Sequence, residues 1–200
     1  NEGCRAGRFT SIAPRDFLGT EILGKTFGQI GMGNIAQRIA HIMNKGFGVK
    51  VLGYDPFINA EEAARRGFEK VDSMEDLLER SDMVNINVPL VPSTEHMISR
   101  EMFDHFKPGA VFVNAARGAV IDEDALYDAL VSGKLKAAAC DTFVNEPPTG
   151  ENKLLSLPNF SATPHIGGNT YEALEKAGME VVTETLRVLN GEKPIHPVHL

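Results

Sequence analysis

The chain has 200 residues, 42% hydrophobic and 24% charged, which fits one large globular domain with a real core. Its 20 basic residues against 27 acidic ones leave a net charge of −7, a poor balance for binding nucleic acid or an anionic membrane surface. The cysteines, Cys4 and Cys140, provide neither a disulfide framework nor a metal-ligand spacing, and no apolar run approaches the length of a membrane span.

Residues 1–24 show no clear hydrophobic period and contain two Gly-linked turns, which reads as an arm or linker. The start, Asn1-Glu2-Gly3-Cys4-Arg5, has neither an initial Met nor a signal-peptide pattern. The expectations are a cytoplasmic protein and a chain that begins inside a longer one. From residue 25 to 190, apolar runs of strand length alternate with amphipathic runs of helix length, the pattern of βαβ units and a parallel sheet. Strands are predicted at Phe27–Ile30, Val49–Tyr54, Met83–Val88, Ala110–Asn114, Ala137–Asp141 and Asn159–Ala162, with a short one near Glu69–Val71. Their nearly continuous apolar character predicts strands covered on both faces, and Cys140 reads as a small buried residue in one of them.

Between these runs, Ile35, Ile39, Ile42 and Met43 recur at helical spacing. Ser73-Met74-Glu75-Asp76 resembles a capping box. Asp122-Glu123-Asp124 sets acidic groups at a helix start, and Gly133 marks that helix's end. A long helix is predicted from about Asn169 to Asn190, ending at Gly191, with an apolar stripe of Leu174, Ala177, Val181, Val182, Leu186 and Leu189. Residues 191–200 form a tail.

Four segments carry chemistry, each just past a predicted strand. The first is Gly31-x-Gly33-x-x-Ala36, between strand and helix, which fits the dinucleotide fingerprint. The first glycine permits the tight turn, the second lets a pyrophosphate approach, and the helix start with Asn34 and Ile35 offers free amides to the phosphates. Asp55 stands 22 positions beyond Gly33, near the spacing of about 20 expected for an acid that binds the adenosine ribose hydroxyls. Such a carboxylate repels a 2′-phosphate, so NAD is favoured over NADP. The second is Asn114-Ala115-Ala116-Arg117-Gly118, whose guanidinium suits a carboxylate held by two parallel hydrogen bonds. By itself that segment reads more readily as a surface Arg on a loop. The third and fourth, Asp141-Thr142-Phe143-Val144-Asn145-Glu146 and Thr163-Pro164-His165-Ile166-Gly167-Gly168, place a Glu and a His on neighbouring strand ends. A carboxylate that stabilises imidazolium suits a general acid and base near neutral pH. His41, His96, His105, His196 and His199 read as structural or surface residues.

Together these segments, with Tyr54-Asp55-Pro56-Phe57 and Val88-Pro89-Leu90, resemble the D-isomer-specific 2-hydroxyacid dehydrogenases from about Leu23 to Val198. The resemblance implies a doubly wound Rossmann sheet in the order 3-2-1-4-5-6 with one added strand. It also implies reversible hydride transfer between NAD and a small 2-oxo or 2-hydroxy acid. Arg117 matches the substrate anchor, His165 the acid/base, and Glu146 the carboxylate that orients it. Asp141 matches the group that binds the nicotinamide carboxamide, and the segments around Pro89 and Ala115 match walls of the cofactor cleft, with Gly167 beside them. No metal is expected. Ala36 stands where the family often has Gly, and the family's arm often carries a Trp where this chain offers Phe9 or Phe17. The family's substrate domain precedes the arm, so this chain is expected to be the cofactor domain without it, with residues 191–200 returning toward that domain. The family implies a homodimer. It also includes non-catalytic NAD-binding sensors and corepressors, the alternative to an enzyme.

Overall fold

The alternation of apolar strands and amphipathic helices resolves into a seven-stranded sheet in the order β3-β2-β1-β4-β5-β6-β7. The strands are β1 (Thr26–Ile30), β2 (Lys50–Tyr54), β3 (Glu69–Lys70), β4 (Met83–Ile86), β5 (Ala110–Asn114), β6 (Leu135–Cys140) and β7 (Phe160–Ala162). Every pairing is parallel. This is the expected order, with β7 as the added strand beside β6. The computed structural model describes residues 5–7 and 19–197. Phe9, Phe17 and most of the predicted arm lie outside those residues.

Six α-helices are found among the described residues: α1 (Asn34–His41), α2 (Ala60–Arg65), α3 (Met74–Arg80), α4 (Arg100–His105), α5 (Glu123–Val131) and α6 (Tyr171–Leu189). Their starts reflect local chemistry. Ser73 Oγ accepts from the Asp76 amide at 3.1 Å, and Asp122 Oδ1 accepts from the Ala125 amide at 2.9 Å, each satisfying an orphan donor of the first turn. Gly133 and Gly191, at φ +76° and +80°, take the left-handed conformation common just past a helix end.

Two apolar cores lie on opposite faces of the sheet. One joins Ile30, Val84, Ile86 and Phe112 to Leu77 and Leu78 of α3, Phe103 of α4, and Leu126 and Leu130 of α5. At its centre Phe103, Phe106 and Phe112 meet with ring centroids 5.4 to 6.0 Å apart. Phe112 meets the other two edge-to-face while Phe103 and Phe106 stack, and such pairs add about 0.5–1.5 kcal/mol each beyond the area they bury. The smaller core joins Phe27 and Val51 to Ala36 and Ala40 of α1 and Ala63 of α2.

Three features depart from the sequence pattern. In α1 the buried positions are Ala36 and Ala40, while Ile35 and Ile42 are exposed. Small residues bring the helix close to the sheet, and a π-helical turn at Ile42–Gly46 changes the facing of the helix's last residues. In β5 and β6, Val111, Val113, Ala137 and Ala139 are only half-buried, and Lys136 is exposed. The helices α3, α4 and α5 cover one face of the sheet, whereas α1 and α2 cover the other only over β1 and β2. Finally, α6 buries no residue.

Candidate active site

The chain leaves β1 toward β2 on one side, and β4 lies on the other side of β1. In open α/β sheets this reversal opens a crevice beyond the carboxyl ends of the strands. The glycine turn lines it. Gly31 has φ +82°, and a Cβ there would come within 2.4 Å of the Asn87 carbonyl oxygen. Gly33 faces open space instead, which leaves room for a ligand to approach the backbone there. Ala36 is fully buried, which explains why a small third residue is required. Gly33 caps α1 without a side-chain hydrogen bond, whereas Asn59, Ser73, Ser99, Asp122 and Thr170 cap α2 to α6. The amides of Asn34 and Ile35 thus remain available to an anion.

Asp55 closes one end of the crevice. Its carboxylate accepts from the Met32 amide and the Phe57 amide, both at 3.0 Å, which ties the glycine turn to the end of β2. Lone pairs remain for hydroxyl donors. A cavity of about 450 Å³ lies here, bordered by Asp55, Phe57, Val88, Pro89 and Met97. A second, of about 490 Å³, continues past Asn34, Ile35, Asn87, Pro89 and Ala115 to Arg117.

The other polar groups converge at that far end. Asn114, buried at the last position of β5, donates from Nδ2 to the Arg117 carbonyl at 3.0 Å and accepts from the Ala116 amide at 3.0 Å. This brace fixes the turn that carries Arg117. Gly118 lets that turn lie against the next loop, because a Cβ there would overlap the Phe143 carbonyl carbon at 1.9 Å. His165 Nδ1 and Glu146 Oε2 are 2.8 Å apart, and Glu146 Oε1 accepts from the Phe143 amide at 3.0 Å. The His165 hydrogen bond, then the Phe143 amide, hold the Glu146 carboxyl below its ordinary value, and the Arg117 charge adds to the effect. His165 itself has φ +57°, an unusual conformation for a residue with a side chain.

Asp141 holds the His165 loop in place. Its carboxylate accepts from the Thr163 hydroxyl at 2.5 Å, the Ile166 amide at 2.9 Å and the Gly167 amide at 2.8 Å. Burial pushes its carboxyl up, but these donors outweigh burial and the net shift is downward. Of the residues singled out in the sequence, Gly31, Gly33, Asn34, Ile35, Asp55 and Pro89 surround the glycine-turn half of the crevice. Ala115, Arg117, Asp141, Glu146, His165 and Gly167 gather at or beside the other. Sequence reasoning missed the bracing roles of Asn114 and Gly118, although both belong to the motif around Arg117. It also passed over Asn87. The available signal was a polar residue in an otherwise apolar strand. Of the other histidines, His105 pairs with Glu79 on the surface and His196 with Glu180, and His199 lies outside the described residues.

A crevice at the reversal of strand order, beside a helix start without a side-chain cap, is how Rossmann-class domains hold a dinucleotide pyrophosphate. The chain belongs to the family described as D-isomer specific 2-hydroxyacid dehydrogenase, NAD binding domain, whose model matches residues 1–167. NAD is the cofactor of such a domain. The chain is 47% identical to a D-3-phosphoglycerate dehydrogenase of Methanocaldococcus jannaschii, over 88% of this chain and 33% of the relative. It is also 47% identical to a hydroxypyruvate reductase of Thermotoga maritima, over 86% of this chain and 55% of the relative. Among solved structures, the apo form of Rhodotorula graminis D-mandelate dehydrogenase superposes with a TM-score of 0.82 at 36% identity, over 91% of this chain and 53% of that one. The chain thus spans between a third and about half of these proteins. Among the described residues no helix is long and apolar enough to cross a membrane, and no group of three or more His, Cys, Asp or Glu is placed to hold a metal.

Proposed function

We propose that the protein containing this chain transfers a hydride reversibly between NAD and a small 2-oxo or 2-hydroxy acid of D configuration. The observation that carries this reading is the His165–Glu146 hydrogen bond of 2.8 Å at the Arg117 end of the crevice. Bound NAD supplies or accepts the hydride. Arg117 anchors the substrate carboxylate and polarises the carbonyl through paired N–H donors. Glu146 engages Nδ1 of His165, which sets the tautomer and leaves Nε2 to carry the exchanged proton. That proton goes to the carbonyl oxygen during reduction and returns during oxidation. Asp141 keeps the 163–167 loop in register, and the family resemblance adds a contact to the nicotinamide carboxamide.

Residues 1–24 then act as an arm, 25–190 as the dinucleotide-binding domain, and 191–200 as a tail toward a substrate domain. In the chain as it stands, the side chains of His165 and Glu146 are 46% and 35% exposed. Water reaches the pair, so the isolated chain binds NAD and turns over little. The uncovered stripe of α6 favours self-association, and we propose a homodimer in the cytoplasm.

The test is NADH binding and 2-oxo acid reduction, with hydroxypyruvate and glyoxylate, by this chain and by the longer protein. The longer protein is expected to turn over, and His165→Ala to lower its kcat by about 10²–10⁴. Rapid reduction by the chain alone would refute its predicted inactivity. NADH binding by the longer protein without turnover of any 2-oxo acid would make it a sensor or corepressor module instead.

A further inference from the structure

Three carboxamides sit where apolar side chains would pack. Gln29 in β1 is fully buried and Asn85 in β4 is 5% exposed, and the two face each other in register. Asn87, two residues beyond Asn85, is half-buried and borders both cavities of the crevice. Burying such groups is costly unless their hydrogen bonds are made, and here the bonding has a direction. Gln29 Nε2 donates to the Ile30 carbonyl at 3.0 Å. A backbone carbonyl only accepts, so this bond fixes which end of the Gln29 amide is nitrogen. The second Nε2 proton goes to Asn87 Oδ1 at 3.3 Å. Gln29 Oε1 must then accept, and it does so from Asn85 Nδ2 at 2.9 Å. The second Asn85 Nδ2 proton also goes to Asn87 Oδ1, at 2.6 Å.

Two donors therefore converge on Asn87 Oδ1. Turning this amide over would set N–H against N–H, so its orientation is locked. Asn87 Nδ2 has no partner among the described residues, and Asn87 lines both cavities of the crevice. We infer that Asn87 is a cofactor-binding residue whose fixed N–H donor takes a diphosphate oxygen of the dinucleotide, with Gln29 and Asn85 as positioning residues that act through it. Asn87 borders both cavities at the middle of the crevice, in company with Gly33, the cap of α1. The diphosphate must span that position, and its oxygens only accept. The inference rests on the dinucleotide reading and extends it to three residues outside the glycine turn.

The experiment titrates the chain with NADH and with ADP-ribose, which keeps the diphosphate and lacks nicotinamide, and tracks thermal unfolding of the same variants. Asn87→Ala is expected to weaken both ligands by about tenfold or more, the loss of a hydrogen bond to a charged group. Asn87→Asp still accepts from Gln29 and Asn85 but adds a negative charge, so it should weaken both ligands further without lowering the unfolding midpoint. Gln29→Met frees the Asn87 amide to turn and should weaken binding a few-fold. That effect should vanish when Asn87 is already Ala, because the two act as a unit. NADH binding by Asn87→Ala and Asn87→Asp equal to that of the unsubstituted chain would overturn the inference while leaving the cofactor reading intact. Loss for NADH but not ADP-ribose would overturn the diphosphate assignment. Additive effects of Gln29→Met and Asn87→Ala would overturn the relay. Failure of the unsubstituted chain to bind either ligand would overturn the cofactor reading and this inference with it.

Discussion

Helices α5 and α6 are built by the same local rules and end in opposite circumstances. Each has a capping side chain, Asp122 and Thr170, and each carries an apolar stripe. In α5 the stripe of Ala125, Leu126, Ala129 and Leu130 is buried against β5 and β6. In α6, Leu174, Val181, Val182 and Leu186 are all more than half exposed. An amphipathic pattern states which face of a helix needs cover, but only the arrangement of neighbouring elements states whether cover exists. The sheet body should therefore respond to substitution as a packed core, and α6 as a helix sustained by its own backbone.

The largest contrast is expected in denaturant unfolding. Phe112 is fully buried and edge-on to two other rings, so Phe112→Ala should cost about 3–5 kcal/mol. Leu186→Ala in α6, measured dilute enough to keep the chain monomeric, should stay within about 0.5 kcal/mol. A loss comparable to the core's in the monomer would break the comparison by showing that α6 is covered within one chain.

A pair of Gly→Ala changes should differ in sign. At Gly118 the added carbon meets the Phe143 backbone, and the forced shift should cost about 1–3 kcal/mol and displace Arg117, the proposed substrate anchor. At Gly178, within α6, nothing lies within 4 Å, and Ala should stabilise the helix locally by about 0.5–1 kcal/mol. Amide hydrogen exchange along α6 would read the second effect. Slower exchange is expected, and faster exchange would show a hidden close contact.

The smallest effect lies in acid. Burial pushes the Asp82 carboxyl up, but Lys107 and the Thr26 amide outweigh it, so it titrates below its ordinary 3.8. A carboxyl whose folded value is depressed contributes stability that is complete above the unfolded value and lost as pH falls through the folded one. Asp82→Asn should therefore destabilise the sheet body near neutral pH, and the two unfolding curves should converge in acid. Curves that stay parallel across that range would remove this ion pair from the account.

The glycine turn and Asp55 were legible because they rest on short-range rules, whereas the strand order came with the family resemblance. Turn, strand and helix succeed one another within a few residues, and their spacing is that of one βαβ unit. Arg117, Glu146 and His165 were legible through their places after strands and through family resemblance. Asn114 and Gly118 were legible only as members of a motif. Their roles depend on a carbonyl three residues away and on a backbone segment some 25 positions later, neither of which has a periodic signature. The exposure of Ile35 and Ile42 was hidden for a related reason. Their spacing marks a helix correctly, but the close approach of that helix to β1 selects Ala36 and Ala40 for burial.

The sequence by itself determined the order and type of the elements, the glycine turn and the groups that carry charge at the strand ends, because backbone propensity, capping and hydrophobic period act over a few residues. Tertiary structure alone decided which of those groups meet. It set His165 on Glu146, locked Asn87 between two buried amides, and left α6 without cover. Contacts of this kind join residues far apart in the chain, and they form only when the sheet has brought its carboxyl edge together.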